Sequence, residues 1–508
     1  MQQMCGVVLV ETDSLQFLGK YTKKRIKQMT ENKRVALISP DWLDIANPYP
    51  PLGLVYIAAV LEANEFELKI FDLSLHPGKK IELKIQEILA FDPTIAGITC
   101  MTNTYSNALK IAGELKKRTD IKIFLGGPHP TVYTEDTLKN PEVDYVVFGE
   151  GEETIFELLK SSFQKNEDIE GLAYKKDGII YINPARPPIK NLDELPNPAR
   201  HLLELESYSL ASPGGEKMAS IMSSRGCPYG CTYCFKGLFG SEYRGRSPEN
   251  IFHELTELRD RFGYKYFYFI DDLFTLKKER VRQLCNLLVQ NKTNIHWQCL
   301  ARVDSLDLEL LSKMKEAGCF KIHLGIESGN TEVLKKTGKG ITLKQVKDTV
   351  KSCKKAGIAT KGYFMLGLPG DTEKTMRETI DFAYELDLDE SMFSITTPFP
   401  GTQLWENSTE AEKIRLADHF KDSYYFSSAD DSTILSNMSE ETDEKLLGML
   451  ELSHEMQLKQ RLERKYGGTL GPIINKTIKI YPIRSLLRSF FGARNELRER
   501  IRENPSYL

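Results

Sequence analysis

From Arg34 onward, short apolar runs alternate with stretches whose apolar positions recur every three or four residues. The runs Val35–Ser39, Leu68–Leu73, Ile95–Thr99, Ile121–Leu125 and Tyr145–Phe148 read as strands. Between them, Leu52–Leu61, Ile81–Leu89 and Ala108–Leu115 have helical spacing. Strands that are apolar throughout and separated by helices imply a parallel sheet covered on both faces. The pattern predicts a flavodoxin-like, or Rossmann-like, α/β domain over 34–165, with its ligand at the carboxyl ends of the strands. The loops there read Pro50-Pro51-Leu52-Gly53, Thr102-Asn103-Thr104, Gly126-Gly127-Pro128-His129 and Gly149-Glu150-Gly151-Glu152.

Residues 166–215 predict a linker. A hairpin is expected over Tyr174–Ile182, turning at Lys176-Asp177-Gly178, and Pro184, Pro187, Pro188, Pro196 and Pro198 follow it. A second alternating series then runs through 216–405. Its candidate strands are Ala219–Ser223, Tyr266–Ile270, His296–Leu300, Phe320–Gly325, Lys361–Leu366 and Met392–Thr396, with helical segments between. Six strands with right-handed crossovers wind into a partial βα barrel rather than a closed barrel of eight. The region 406–508 reads as mostly helical and polar. Residues 1–33 show little periodicity; they read either as an arm or as an upstream extension ahead of a true start at Met29.

With 508 residues, more than one hydrophobic core is expected. A net charge of -3 gives no field that would gather nucleic acid. The sequence offers neither a signal-peptide core nor an apolar run long enough to span a bilayer, so a cytoplasmic protein is expected. Nine cysteines, an odd number, argue against a disulfide framework. Six are scattered singly and read as buried small side chains. The other three, Cys227, Cys231 and Cys234, fall within eight residues.

This trio lies in Ser223-Ser224-Arg225-Gly226-Cys227-Pro228-Tyr229-Gly230-Cys231-Thr232-Tyr233-Cys234, directly after the first barrel strand. Loops at strand carboxyl ends carry a barrel's chemistry. Soft thiolates so close together suit zinc or an iron–sulfur cluster. A structural zinc wants a fourth ligand, and His253, the nearest histidine downstream, is distant. A 4Fe–4S cube on three thiolates leaves one iron open for a ligand.

The Cys-x-x-x-Cys-x-x-Cys pattern with Tyr233 before its last cysteine resembles the signature of the radical S-adenosylmethionine (SAM) superfamily, over about 216–405. The resemblance implies a 4Fe–4S cluster on Cys227, Cys231 and Cys234. SAM would chelate the open iron and be reductively cleaved to a 5′-deoxyadenosyl radical. It further implies SAM contacts from Tyr233, from Asp271 and Asp272 near the methionine amine, and from Arg302 at its carboxylate. Glu327 would reach the ribose, and Met365 and Leu366 would lie near the adenine. A reductant such as flavodoxin or ferredoxin is implied as partner.

A five-stranded parallel domain ahead of such a barrel resembles the cobalamin-binding module of one branch of that superfamily, which includes the bacteriochlorophyll ring cyclase and hopanoid methylases. The resemblance implies cobalamin contacts from Pro51, Gly53, Thr102, Gly126, Gly127, His129, Gly149, Glu150 and Gly151. The loop Pro40-Asp41-Trp42-Leu43-Asp44-Ile45 lacks the Asp-x-His-x-x-Gly motif whose histidine ligates cobalt from below in many cobalamin proteins. His76 and His129 are the histidines of this domain, and His129 sits at a strand end.

At the other end of the chain, Ile483, Leu486, Leu487, Phe490 and Phe491 line one helical face between Pro482 and Gly492, opposite Arg484 and Arg488. This face suits packing on the barrel or peripheral membrane contact through 482–492. The branch resemblance implies methylation of an unactivated carbon of a small molecule or lipid. Oxidative cyclisation or C–C bond formation with the same cofactors is the alternative, and a non-catalytic cobalamin or redox sensor a third.

Overall fold

The computed structural model describes residues 34–41, 49–76, 79–208, 210–212, 214–421 and 434–480. The expected arm 1–33 and the amphipathic segment 482–492 lie outside the described residues. Two large sheets organise the chain, a mixed one of seven strands and a parallel one of six.

The first sheet begins with β1 (Arg34–Ser39), β2 (Glu67–Asp72), β3 (Ile95–Thr99), β4 (Lys122–Gly126) and β5 (Tyr145–Val147), all parallel. The order 2-1-3-4-5 is flavodoxin-like. Strand order reverses between β1 and β3, which opens a crevice at their carboxyl ends. One apolar layer takes Val35, Leu37 and Phe124 against helices Leu52–Ala63 and Glu152–Lys160. The other takes Ala36, Ile38 and Ile98 against helices Ile81–Ala90 and Tyr105–Lys116. Strands buried on both sides have no polar alternation, which is why their sequences are apolar throughout.

The hairpin β6 (Leu172–Lys176) and β7 (Ile179–Ile182) departs from expectation. It is not a free linker: β6 pairs antiparallel with β5 and extends the sheet to seven strands. Leu172, Ala173 and Tyr174 are buried in the two apolar layers, so half of this hairpin reads as core. Its outer strand is short but apolar, and leaves Ile179, Tyr181 and Ile182 exposed at the sheet edge.

The second sheet comprises β8 (Met218–Ile221), β11 (Tyr266–Phe269), β12 (His296–Ala301), β13 (Cys319–Glu327), β14 (Ala359–Leu366) and β15 (Glu390–Ile395), all parallel. Phe267, Phe269, Trp297, Cys299, Ile322, Leu324, Ile326 and Phe364 face the outer helices in one core. Alternation therefore turns Tyr268, Gln298, His323 and Tyr363 to the opposite, concave side. β13 runs to Glu327 through a register shift at Gly325/Glu327, beyond its expected end. A short ladder of β9 (Ser224–Arg225) and β10 (Arg244–Gly245) closes the base of the cysteine loop. Helices Glu410–Lys421 and Asp443–Ile480 follow the barrel. No described helix is long and apolar enough to cross a membrane.

Candidate active site

The cysteine loop leaves β9 through Gly226, whose φ of 82° belongs to the left-handed region. A Cβ there would lie 2.2 Å from the Glu242 carbonyl oxygen, so only glycine fits this turn. The loop is clamped from two sides: Thr232 N–H donates to Thr337 O at 3.0 Å, and Leu404 N–H donates to Thr232 O at 3.0 Å. Gly338 packs so closely that a Cβ would stand 2.8 Å from the Gly230 carbonyl oxygen. The three thiols are thus held on one short, externally braced loop at the carboxyl end of β8, and none is in a disulfide.

Arg302 reaches this loop from the end of β12. Its guanidinium lies 3.6 Å from the Tyr229 ring centre, and Nη1 is 4.0 Å from Cys231 Sγ. The same group pairs with Asp304 at 2.9 Å and donates to Lys339 O at 2.7 Å. Lys339 in turn pairs with Glu327 at 2.8 Å, both side chains being buried. Glu327 has φ 69°, an uncommon conformation for a residue with a side chain and one that concentrates at functional sites. The Tyr233 hydroxyl is buried close to Glu327 and the Cys231 thiol, without a partner at full hydrogen-bond geometry. Such a group in a native site calls for a ligand to complete it.

The two acids after β11 separate. Asp271, expected at the SAM amine, is instead fully buried and committed: it accepts from the N–H groups of Ser223 and Ser224 and from Ser223 Oγ. Burial pushes its carboxyl above the usual range, against the pull of Arg280 and these donors. It pins the start of the cysteine loop. Asp272 stays at the surface and lies near Cys234. Leu366, expected at the adenine, faces the outer helices in the barrel core, because alternation along β14 places it opposite Met365. Met365 is half-buried on the concave side.

In the first domain, Thr102, Gly126, Gly127, His129, Gly149 and Gly151 gather at the carboxyl ends of β3, β4 and β5, with Pro51 and Gly53 at the start of helix Leu52–Ala63. Gly127, φ 102°, approaches the chain so closely that a Cβ would be 2.8 Å from Cys100 O. Beside Gly53 and Gly149 a Cβ would meet nothing within 4 Å. His129 stacks on Tyr105, ring centres 3.9 Å apart, with Nδ1 3.3 Å from Thr102 Oγ1. Burial holds its pKa down to about 4, so the imidazole is neutral at pH 7. Asn103 is wholly buried, yet both its amide oxygen and nitrogen lack partners. An amide-rich ligand over this loop fits that inventory, as the open rim at Gly53 and Gly149 fits its bulk. In the loop after β1, Asp41 is held by the buried Lys84, at 2.6 and 2.7 Å.

Glu150, expected at the corrin, does other work. Its carboxylate takes Arg244 Nη2 at 2.5 Å and Arg225 Nη1 at 3.4 Å, and accepts from Ile189 N–H at 2.9 Å. Arg225 also pairs with Glu152 at 2.5 Å and lies over the rings of Tyr56 and Phe239. The carboxyl-end loops of the two sheets therefore face each other across a buried ionic seam. Sequence reading missed Arg225, Arg244 and Lys339. Nothing local signals the two arginines, whose acidic partners lie 73 and 94 residues away.

Comparison with known proteins agrees with this arrangement. The Radical SAM superfamily profile matches residues 221–383, and the B12 binding domain profile matches 42–159. An uncharacterized methyltransferase of Pyrococcus horikoshii is 38% identical over 366 residues, covering 70% of this chain and 78% of that protein. The anaerobic magnesium-protoporphyrin IX monomethyl ester cyclase of Rubrivivax gelatinosus is 29% identical over 404 residues, covering 76% of this chain and 72% of its own. In fold, the chain resembles the radical SAM methyltransferase TsrM from Kitasatospora setae, solved with cobalamin and a [4Fe-4S] cluster. Here the TM-score is 0.63 at 20% identity, over 73% of this chain and 74% of that one. The chain belongs to the cobalamin-binding branch of the radical SAM superfamily, whose cofactors are a 4Fe–4S cluster, SAM and cobalamin.

Proposed function

We propose that this enzyme methylates an unactivated carbon of a small molecule, in a chamber between the concave face of the barrel and the strand ends of the first domain. The observation that carries this reading is the seam joining Glu150 and Glu152, after β5, to Arg225, two residues before Cys227. It supports a geometry in which a methyl carrier and a radical source face one substrate.

In this reading Cys227, Cys231 and Cys234 ligate the cluster, while Tyr233, Asp272, Arg302, Glu327 and Met365 surround SAM. Pro51, Gly53, Thr102, Gly126, Gly127, His129, Gly149 and Gly151 line the cobalamin site. When bound, the cluster and SAM supply a hydrogen-abstracting radical, and cobalamin supplies a transferable methyl group. The chain's own residues set the stage. Gly226, Thr337 and Leu404 fix the cysteine loop, and Arg302 places positive charge beside Cys231. The buried Tyr233 hydroxyl offers a hydrogen-bonding group beside the cysteine loop. Neutral His129 presents a stacked, uncharged imidazole to its ligand.

The eight described cysteines are unpaired, which supports a reducing, cytoplasmic setting, with flavodoxin or ferredoxin as electron donor. Functional units at 34–165 and 216–405, joined by 166–215 and followed by a helical region at 406–508, suit this reading. A lipid substrate would suit the amphipathic segment 482–492. The decisive assay is transfer of isotope from methyl-labelled SAM into product by the anaerobically reconstituted protein. No transfer, with a dehydrogenated or ring-closed product in its place, favours oxidative cyclisation, the second reading, which the likeness to the Rubrivivax gelatinosus cyclase supports.

A further inference from the structure

Below the strand ends, the concave face of the barrel holds a polar cluster outside the residues assigned above to the cofactors. His323 on β13 is hydrogen-bonded at both ring nitrogens: Nδ1 lies 3.0 Å from the Tyr363 hydroxyl and Nε2 lies 3.2 Å from Gln298 Oε1. An amide oxygen only accepts, so the imidazole proton sits on Nε2 and the Tyr363 hydroxyl donates to Nδ1. The Tyr268 ring lies 5.1 Å from the His323 ring. Tyr49, from the loop ahead of helix Leu52–Ala63, comes close enough to Tyr268 and Tyr363 to influence both hydroxyls, so the cluster faces the first domain.

The charges around this cluster do not balance. Lys321 pairs with Glu390 at 2.5 Å, and Lys361 reaches the same carboxylate only at 3.8 Å. The Lys361 ammonium lies 5.2 Å from the Tyr363 ring centre, on the same concave row. Higher in the barrel, Glu327 is matched by Lys339, and Arg302 by Asp304. At the lower rim Glu216 is bound to Ser212. Two lysines thus share one glutamate in a half-buried space. Burial, and then Lys361 and Lys321, hold His323 neutral by lowering its pKa to about 3, while burial and Lys321 lower that of Lys361 against the pull of Glu390. Two lysines on one carboxylate leave a net positive charge, which attracts a ligand of the opposite sign.

Resting on the reading of the barrel as a reaction chamber, we propose that Lys361 binds an anionic group of the substrate, a carboxylate or a phosphate. His323, satisfied at both nitrogens by Tyr363 and Gln298, fixes the side chains beside that group rather than binding it. Tyr363 commits its proton to His323 and accepts from Tyr268, so the three side chains form one network beside Lys361. The anion would fix one end of the substrate low in the barrel. At about 3.3 Å per strand residue, the four residues from His323 to Glu327 leave room for a carbon near the strand ends to meet the radical.

Isothermal titration of the full-length, cofactor-loaded protein tests this, with four probes sharing one ring: benzoate, phenylphosphonate, benzyl alcohol and benzylamine. Both anions, or the one whose chemistry the site prefers, should bind about tenfold or more tightly than the alcohol, with benzylamine weakest. Lys361→Gln should lose that preference while still binding the alcohol, and Lys361→Arg should keep it. The ratio of benzoate to phenylphosphonate affinity separates a carboxylate from a phosphate site. Equal affinity for all four probes, no binding of any, or an undiminished anion preference in Lys361→Gln overturns the proposal. Reductive cleavage of SAM by the wild-type protein is measured alongside. Its absence would defeat the proposed function while leaving the binding result to stand or fall alone.

Discussion

Arg225 Nη2 donates to Glu152 Oε1 across 2.5 Å, with both side chains almost wholly removed from water. One partner opens a helix of the first domain; the other stands two residues before the first cluster cysteine. Removing one member of a buried pair costs about 3–5 kcal/mol when the other charge is stranded, and less here because Arg225 keeps Glu150 at 3.4 Å. Glu152→Ala should therefore lower the unfolding midpoint and reduce iron content after reconstitution. Thermal unfolding with parallel iron analysis checks this; normal iron in a destabilised protein would mean that the seam does not position the loop.

Replacing Cys227, Cys231 or Cys234 singly by alanine should abolish most cluster absorbance and iron content while leaving cobalamin binding intact. Cys299→Ala is the matched control, because that thiol is buried among the outer helices and points away from the site.

Gly226→Ala forces a side chain into a left-handed turn 2.2 Å from a carbonyl oxygen. The loop must shift, so cluster incorporation should fall several-fold with little change in far-ultraviolet circular dichroism. Iron per chain is the readout.

Lys84 is 1% exposed and satisfied by Asp41 and the Leu73 carbonyl. Lys84→Met leaves the Asp41 carboxylate in a low-dielectric loop and should cost about 2–3 kcal/mol, below the fully buried case because Asp41 keeps some contact with water. Adding Asp41→Leu should recover much of the loss in denaturant titrations.

Acid should destabilise the fold through its buried imidazoles. His129 is held to about 4 and His323 to about 3, chiefly by burial, so the folded state resists protonation. The unfolded chain binds these protons first, near its ordinary value of about 6.5. Their contribution is complete above that pH and is lost as pH falls toward 4 and 3 respectively, by about 1.4 kcal/mol per unit for each histidine. His129→Gln should flatten the pH dependence of the denaturation midpoint between about pH 6.5 and 4.

The architecture was readable because strands buried on both faces carry continuous apolar runs, and because three close thiols at a strand end have few structural explanations. The hairpin at Leu172–Ile182 was recognised as a hairpin, but its pairing with β5 depends on a long-range register that no local pattern encodes. The same holds within the site. Glu150 and Asp271 stand where ligand contacts were expected, yet Arg244 and Ser223 claim them from 94 and 48 residues away. Leu366 and Met365 differ for a local reason: alternation along β14 turns the Leu366 side chain to the outer core. The pairing of His323 with Gln298 and Tyr363 depends on β12, β13 and β14 lying side by side, which no local pattern encodes.

The ionic seam has a consequence for how such an enzyme can be taken apart. Severing the chain in the connecting segment would leave Arg225 and Arg244 as naked cations on one fragment and Glu150 and Glu152 as naked anions on the other. Neither half inherits a finished surface. Grafting this barrel onto a foreign corrin carrier would therefore fail unless the two glutamates travel with it.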